Sequence, residues 1–155
     1  MGHAMHGMHD MDLISQIKSR LVGQELREVQ QFEHQWQFHF ANRMNLSIEC
    51  PWRILKDGQI AFGDQDHAQQ FGLPAPIDGL EQTNLLLLNR FVQKIEVRDD
   101  TADLTLSFGD RLFLEILNLS SGYEGWQLSD DAEFIVVAQG GGSLAVPTVY
   151  RGWIH

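Results

Sequence analysis

The spacing of apolar positions changes several times along the chain, and each change marks an element. From Asp12 onward Leu13, Ile14, Ile17 and Leu21 recur at helical spacing. Asp12 is placed to cap this helix, Lys18 and Arg20 occupy its last turn, and Gly23 stands where a left-handed residue ends it. After Gly23 the period becomes two. Leu26-Arg27-Glu28-Val29 opens a strand, Trp36-Gln37-Phe38-His39-Phe40 alternates strictly, and Leu46, Ile48 and Cys50 alternate again beyond the Asn42-Arg43 turn. Asp57-Gly58 signals a hairpin between Ile54-Leu55 and Ile60-Ala61-Phe62. Residues 63–77 (GDQDHAQQFGLPAPI) predict a short helix capped by Asp64 and stopped at Gly72, then a rigid Pro74-Ala75-Pro76 connection.

The same plan then recurs. Asp78 caps a second helix, Glu81 completes a capping box, Leu80 and Leu87 supply its apolar face, and Asn89 takes the place of Gly23. Strands are expected at residues 91–97, 102–108, 112–119, 125–128 and 134–138, with one more at 144–150 after the Gly140-Gly141-Gly142 turn. Ala41-Asn42-Arg43-Met44 with Leu46 and Ile48 aligns without gaps on Gly109-Asp110-Arg111-Leu112 with Leu114 and Ile116. Leu55-Lys56-Asp57 likewise matches Leu128-Ser129-Asp130. The expected fold is α+β, with two pseudo-repeated halves that each carry a helix and an antiparallel β-meander. The halves span about residues 12–63 and 78–138 of a single domain at 12–150, joined by a linker at 64–77. Chance similarity between β-hairpins is the competing explanation. Residues 1–11 (MGHAMHGMHDM) lack an apolar period and read as a flexible His/Met-rich tail, and residues 151–155 as a second tail.

Composition changes this picture only in part. A length of 155 residues, 43% hydrophobic and 21% charged, suits one globular domain. The longest aliphatic run, Leu85 to Leu88, falls far short of the ~20 residues that span a bilayer. No cationic region followed by an apolar one opens the chain, so it does not read as a secretory signal. Cys50 is the sole cysteine, which points to a reducing, cytoplasmic setting. Charge is more informative. The net charge is −10, and residues 99–150 hold nine acidic residues against the single Arg111. Such a surface repels nucleic acids and anionic membranes and attracts a basic protein, although it also serves simple solubility.

Enzyme signatures are absent: there is no G-x-S-x-G elbow, H-E-x-x-H, P-loop or Cys-x-x-Cys. Gly140 to Gly142 precede a strand-like run and read as a hairpin turn rather than a phosphate loop. Asp64, Asp66 and His67 gather possible metal ligands, yet the same residues suit a helix start. His34 and His39 sit beside an aromatic strand face without an evident catalytic partner, and Cys50 is in phase with core positions. No cofactor is implied, and no metal within the fold. His3, His6 and His9, interleaved with methionines, are the one place for weak copper or nickel binding.

The most distinctive segment is residues 118–128, where two glycines, two serines and one carboxylate frame Tyr123 and Trp126. Aromatics of this kind anchor interfaces or fill a core. Cys50-Pro51-Trp52-Arg53 occupies a comparable place earlier in the chain. The run S-G-Y-E-G-W-Q-L at residues 121–128, C-P-W-R at 50–53 and D-H at 66–67 resemble a family of short bacterial proteins of unknown function, over roughly residues 22–138. That family is loosely associated with toxin-immunity proteins, and the resemblance implies no enzymatic activity. The chain departs from the pattern in its N-terminal extension, in Asp130-Asp131 and in its C-terminal tail.

The leading expectation is a non-catalytic protein-binding domain, an immunity-type protein neutralising a basic toxin. Its anchors would be Trp52, Arg53, Tyr123 and Trp126, with Glu124, Asp130 and Asp131 supplying charge and Asp66 and His67 a second patch. The rival is a small-ligand or metal module with a pocket between the halves near Asp66 and His67. An enzyme assembled from residues far apart in sequence is the third class. The chain is expected to act as a monomer or homodimer.

Overall fold

The first helix, α1, occupies Gly2–Leu21 and lays Leu13, Ile14, Ile17 and Leu21 against the core. The structure, a computed structural model, describes the backbone of residues 2–147 and the side chains of 11–147. The helix thus begins inside the segment expected as a tail, and Asp12 lies within it, accepting a hydrogen bond from Gln16 Nε2, instead of capping it. An apolar period reports burial; residues such as Ala and Met form helix by propensity without one. Gly23 ends the helix at φ 87°, and Asn89 stands at φ 66° after the second helix, α2 (Gly79–Leu87). Asp78 caps α2 by accepting from the Glu81 N–H at 3.2 Å.

Eleven strands form two antiparallel sheets, giving an α+β fold with two helices among the described residues. In chain order they are β1 Leu26–Phe32, β2 Gln35–Phe40, β3 Asn45–Ile48, β4 Trp52–Lys56, β5 Gln59–Gly63, β6 Lys94–Val97, β7 Leu104–Ser107, β8 Leu112–Ile116, β9 Trp126–Ser129, β10 Ile135–Ala138 and β11 Leu144–Ala145. The first sheet runs β1-β2-β3-β9-β10-β11 and the second β5-β4-β8-β7-β6. Each sheet therefore combines early and late strands, and the chain crosses between sheets at residues 49–51 and again at 117–125. Thr148 to Tyr150 and the tail at 151–155 lie outside the described residues.

The inward positions are those that alternation marked. Phe38, Leu46 and Leu128 of the first sheet and Ile54, Leu106 and Leu114 of the second are fully buried, each contributing about 1.5–3 kcal/mol on removal from water. Trp52 sits among aromatic rings, edge-on to Trp36 (centroids 5.0 Å) and Phe38 (5.5 Å) and tilted against Phe62 (5.7 Å). Phe40 and Phe108 are both buried. Within the second sheet Trp52 pairs with Ile116, and within the first Trp126 pairs with Ile48. Leu55 and Leu128 differ: Leu55 lies one position beyond inward Ile54, whereas Leu128 faces inward opposite Leu46. The sequence match of residues 55–57 to 128–130 is therefore one residue out of register, which on a strand inverts every side chain.

Four backbone hydrogen bonds in antiparallel arrangement tie the segments that follow the helices. Gly23 N–H donates to Val92 O (2.7 Å) and Asn89 N–H to Leu26 O (2.8 Å), while Leu26 N–H donates to Arg90 O and Val92 N–H to Gln24 O, both at 2.9 Å. Glu25 and Phe91 face each other in the bridge between them. Between α2 and the early strands, the expected short helix is only a 3-10 turn at Asp64–Asp66. Its continuation fails because Ala68 and Phe71 take left-handed backbone angles (φ 68° and 47°), which no right-handed helix accommodates. Among the described residues no helix is long and apolar enough to cross a membrane.

Candidate functional site

The two crossing connections lie side by side and enclose a cleft of about 630 Å³. One wall is Glu49, Cys50 and Pro51; the other is formed by Asn118, Leu119, Ser120 and Gly122 to Gly125. Backbone bonds clamp the walls together, Glu49 N–H to Gly125 O (2.8 Å) and Leu117 N–H to Pro51 O (2.9 Å). The longer wall owes its shape to polar side chains turned on its own backbone. Ser120 Oγ accepts from the N–H groups of Gly122 (3.0 Å) and Tyr123 (2.9 Å). Asn118 Nδ2 donates to the carbonyls of Thr101 and Ala102, both at 3.0 Å, and its own N–H reaches Asp103 Oδ1 at 2.9 Å.

Close approach fixes two glycines. A Cβ at Gly125 would overlap Asn118 Oδ1 and crowd Cys50 Sγ, and one at Gly140 would overlap the backbone of Gly122. The Gly140 to Gly142 turn is a hairpin, closed by Gln139 N–H to Ser143 O at 2.8 Å, and it also supports the loop through Gly141 N–H to Ser120 O at 2.9 Å.

At the rim the loop turns apolar groups outward. Tyr123 is 84% and Leu119 73% exposed, and Glu49 and Glu124, also exposed, line the same cleft. A shallow polar hollow lined by Gln35, Ser47 and Gln127 shares Glu49, Glu124 and Gly125 with the cleft. Burial pushes the Cys50 thiol up to about 12, with nearby Asp64, Asp103 and Glu49 adding to the effect and its backbone hydrogen bond opposing it. The thiol is therefore held in its protonated form at neutral pH.

No family model matches the chain, and no curated protein or solved structure matches it.

The residues expected from sequence scatter around this site. Tyr123 and Glu124 line the cleft. Trp52 and Trp126 do not serve as surface anchors: each is only 2% exposed, because its strand turns it inward between the sheets. Trp126 Nε1 donates to Ala102 O at 2.8 Å, whereas Trp52 Nε1 is buried without a partner among the described residues. Arg53 is held by its cross-strand neighbour Glu115, Nε to Oε1 at 2.7 Å.

Asp66 and His67 lie outside the cleft lining and are committed to backbone. Asp66 Oδ2 accepts from Gly63 N–H (2.9 Å), His67 Nδ1 from Gly79 N–H (2.9 Å), and the His67 ring stands edge-on to Trp36. Asp64 Oδ1 accepts from Trp52 N–H at 3.1 Å, and burial raises its carboxyl above the ordinary range. Asp130 is likewise structural, accepting from the N–H groups of Ala132 and Phe134 (3.0 Å each) and from Arg20 (3.1 Å). Asp131 remains exposed, 3.8 Å from Arg43.

His39 bridges Gln30 and Asn45 on the outer face of the first sheet. Among the described residues no three His, Cys, Asp or Glu side chains gather as a metal site; the His3, His6 and His9 side chains lie outside the described residues. Sequence reasoning missed Glu49, Pro51 and Leu119 as cleft residues. Leu119 continues an alternating strand pattern, and only the departure of the chain from the sheet after Ile116 turns it outward.

Proposed function

We propose that the chain is a duplicated α+β scaffold carrying, at a break in its symmetry between the third and fourth strands of each half, a non-catalytic cleft for a basic protein partner. A cytoplasmic immunity-type protein that neutralises a basic bacterial toxin would use such an arrangement. The duplication draws support from strand order, since β1-β2-β3-β9-β10 in one sheet corresponds to β6-β7-β8-β4-β5 in the other. It also draws support from paired bonds: the Gly23–Val92 and Asn89–Leu26 contacts are counterparts 66 positions apart, and the Glu25–Phe91 bridge would join a residue to its own equivalent. The exposed pairs Arg43–Asp131 and Arg111–Asp57 are counterparts as well.

The observation that carries the function is where the correspondence breaks. Ile48 and Ile116 end the third strands 68 positions apart, while Trp52 and Trp126 begin the fourth strands 74 apart. The second crossing connection is thus six residues longer, and the excess holds Leu119, Tyr123 and Glu124. A symmetric scaffold has no need of exposed apolar side chains in one connection alone. Sharing one cleft with Glu49 and Glu124, they suit an aromatic anchor beside a Lys or Arg of a partner. The acidic second half would speed encounter with a basic surface.

The test is binding kinetics with the partner captured by the immobilised protein. Association should slow steeply as salt rises, because charges more than ~8 Å apart are screened at physiological ionic strength. Asp131→Asn should slow association modestly without altering Tm, and Tyr123→Ala should speed dissociation about 30-fold, or ~2 kcal/mol. Binding indifferent to salt and to both substitutions would remove the cleft and the acidic face from the account. A small-ligand module is the alternative reading, favoured by the cleft volume, which falls within the range of ordinary ligand pockets. A small cation that raises Tm in the native chain, and not in Tyr123→Ala, would favour it over a protein partner.

A further inference from the structure

The outer faces of the two sheets differ in kind. On the first sheet, cross-strand neighbours on β1, β2, β3 and β9 form two outward rows. One is Gln30, Gln37, Ser47 and Gln127, and the other Glu28, His39, Asn45 and Ser129. Glu28, at the edge, is the only acid of the rows, and none of them is Lys or Arg. Nor is any of them Val, Ile, Thr, Tyr, Phe or Trp, the residues that strands favour. The outward positions of the second sheet carry instead the ion pairs Arg53–Glu115 and Lys94–Glu96 and the apolar neighbours Leu55 and Phe113. A field of amides and hydroxyls is therefore not something this architecture needs in order to fold.

The field is also ordered. His39 bridges Gln30 (Nε2 to Oε1, 2.9 Å) and Asn45, tying three strands through their side chains. Apart from Glu28 every member of the rows is half-buried, held among its neighbours. At one end Ser47 and Gln127 join Gln35, Glu49 and Glu124 around a hollow of about 30 Å³, room for one water-sized group. Phe32, 49% exposed, stands cross-strand from Gln35.

We propose that this face binds a neutral oligosaccharide lying across the strands from β1 to β9, three spacings or ~14 Å. The match is one of hydrogen-bonding character. Amides donate and accept, as sugar hydroxyls do, and covering neutral groups costs less than covering charges. One sugar hydroxyl fills the hollow and donates to the Glu49 or Glu124 carboxylate, while the Phe32 ring covers the C–H face of a sugar. Other ligands suit the face less well. Its acids and the net charge of −10 repel phosphate. A protein interface is built around an apolar centre, which the two rows lack. Among the described residues no cluster could hold a metal ion. The cleft shares Glu49, Glu124 and Gly125 with the hollow but none of the residues of the rows.

Isothermal titration calorimetry with cellohexaose, xylohexaose, maltohexaose and N-acetylchitohexaose tests it, with hexagalacturonate as the charged control. At least one neutral sugar should bind in the micromolar to millimolar range, with an affinity that salt leaves unchanged because no ion pair forms. Gln37→Ala and Gln127→Ala should each weaken that binding about tenfold without altering Tm. Thr105→Ala, on the outer face of the second sheet, should change nothing. Failure of all four neutral sugars to bind, equal binding of hexagalacturonate, or binding that survives both glutamine substitutions would overturn the proposal. So would binding lost in Tyr123→Ala and kept in Gln37→Ala, which would put the sugar in the cleft. A protein partner held by the cleft is recognised separately, since its association falls with salt and is indifferent to Gln37→Ala.

Discussion

Trp52 and Trp126 make a controlled pair. Both are large, buried and one step from a crossing connection, and they differ in their indole N–H: Trp126 donates to Ala102 O, and Trp52 Nε1 has no partner among the described residues. Trp126→Phe should therefore cost more than Trp52→Phe, by about 1 kcal/mol in denaturant unfolding, because it also loses a buried hydrogen bond, Ala102 O keeping only the one from Asn118 Nδ2. Asp64 offers a pH test. Its carboxyl is raised by burial, so the folded state holds the proton more tightly than the unfolded chain does. The ionised group opposes folding at neutral pH, and that opposition fades as pH falls through the raised value. Asp64→Asn, which keeps an acceptor for Trp52 N–H, should stabilise the protein at pH 7 and lose that advantage near pH 4. Asp64→Ala should instead cost about 1–3 kcal/mol at either pH by leaving the N–H unpaired. Cys50, raised to about 12, should react with iodoacetamide at pH 8 on the order of a thousandfold more slowly than in the unfolded chain. The sequence alone could not separate Tyr123 from Trp126. Both sit in one aromatic loop, and only the register of β9 sends one inward and leaves the other outside.

Elements were legible wherever alternation coincided with burial. β2 and β3 alternate buried and half-buried positions as their sequences do, and Asp57-Gly58 turns with both residues left-handed, at φ 52° and 80°. Strand ends were read too long because alternation outlasts pairing: Leu117 still bonds Pro51 O, but the chain then leaves the sheet. The start of α1 was hidden for the opposite reason, as helix without an apolar stripe has no periodic signal. The cleft was illegible because its walls come from connections far apart in sequence, brought together by backbone bonds. The longer connection should tolerate no side chain at Gly125. Gly125→Ala would drive its methyl into Asn118 Oδ1, and we expect ~2 kcal/mol of destabilisation together with weakened partner binding. Ser120→Ala, which frees only the two exposed amides it holds, should loosen Tyr123 with less than ~1 kcal/mol lost.

At the scale of the whole molecule, the exchange of strands decides how the chain behaves. β3 pairs with β9 and β4 with β8, so neither sheet can be completed until distant segments meet. Loop closure must precede the reward, and folding should take milliseconds to seconds in stopped-flow refolding rather than microseconds. The same crossing has a consequence for cleavage. The loop at residues 69–76, exposed throughout, is a site where a protease can cut between the first five strands and the last six without touching either sheet. Each fragment would still thread a hairpin into the sheet of the other, so the cut should release nothing. A nicked molecule of this kind behaves as a split protein: its pieces co-migrate on a native gel, separate only in denaturant, and can be supplied as two polypeptides that are inert apart and regain the native fold on mixing.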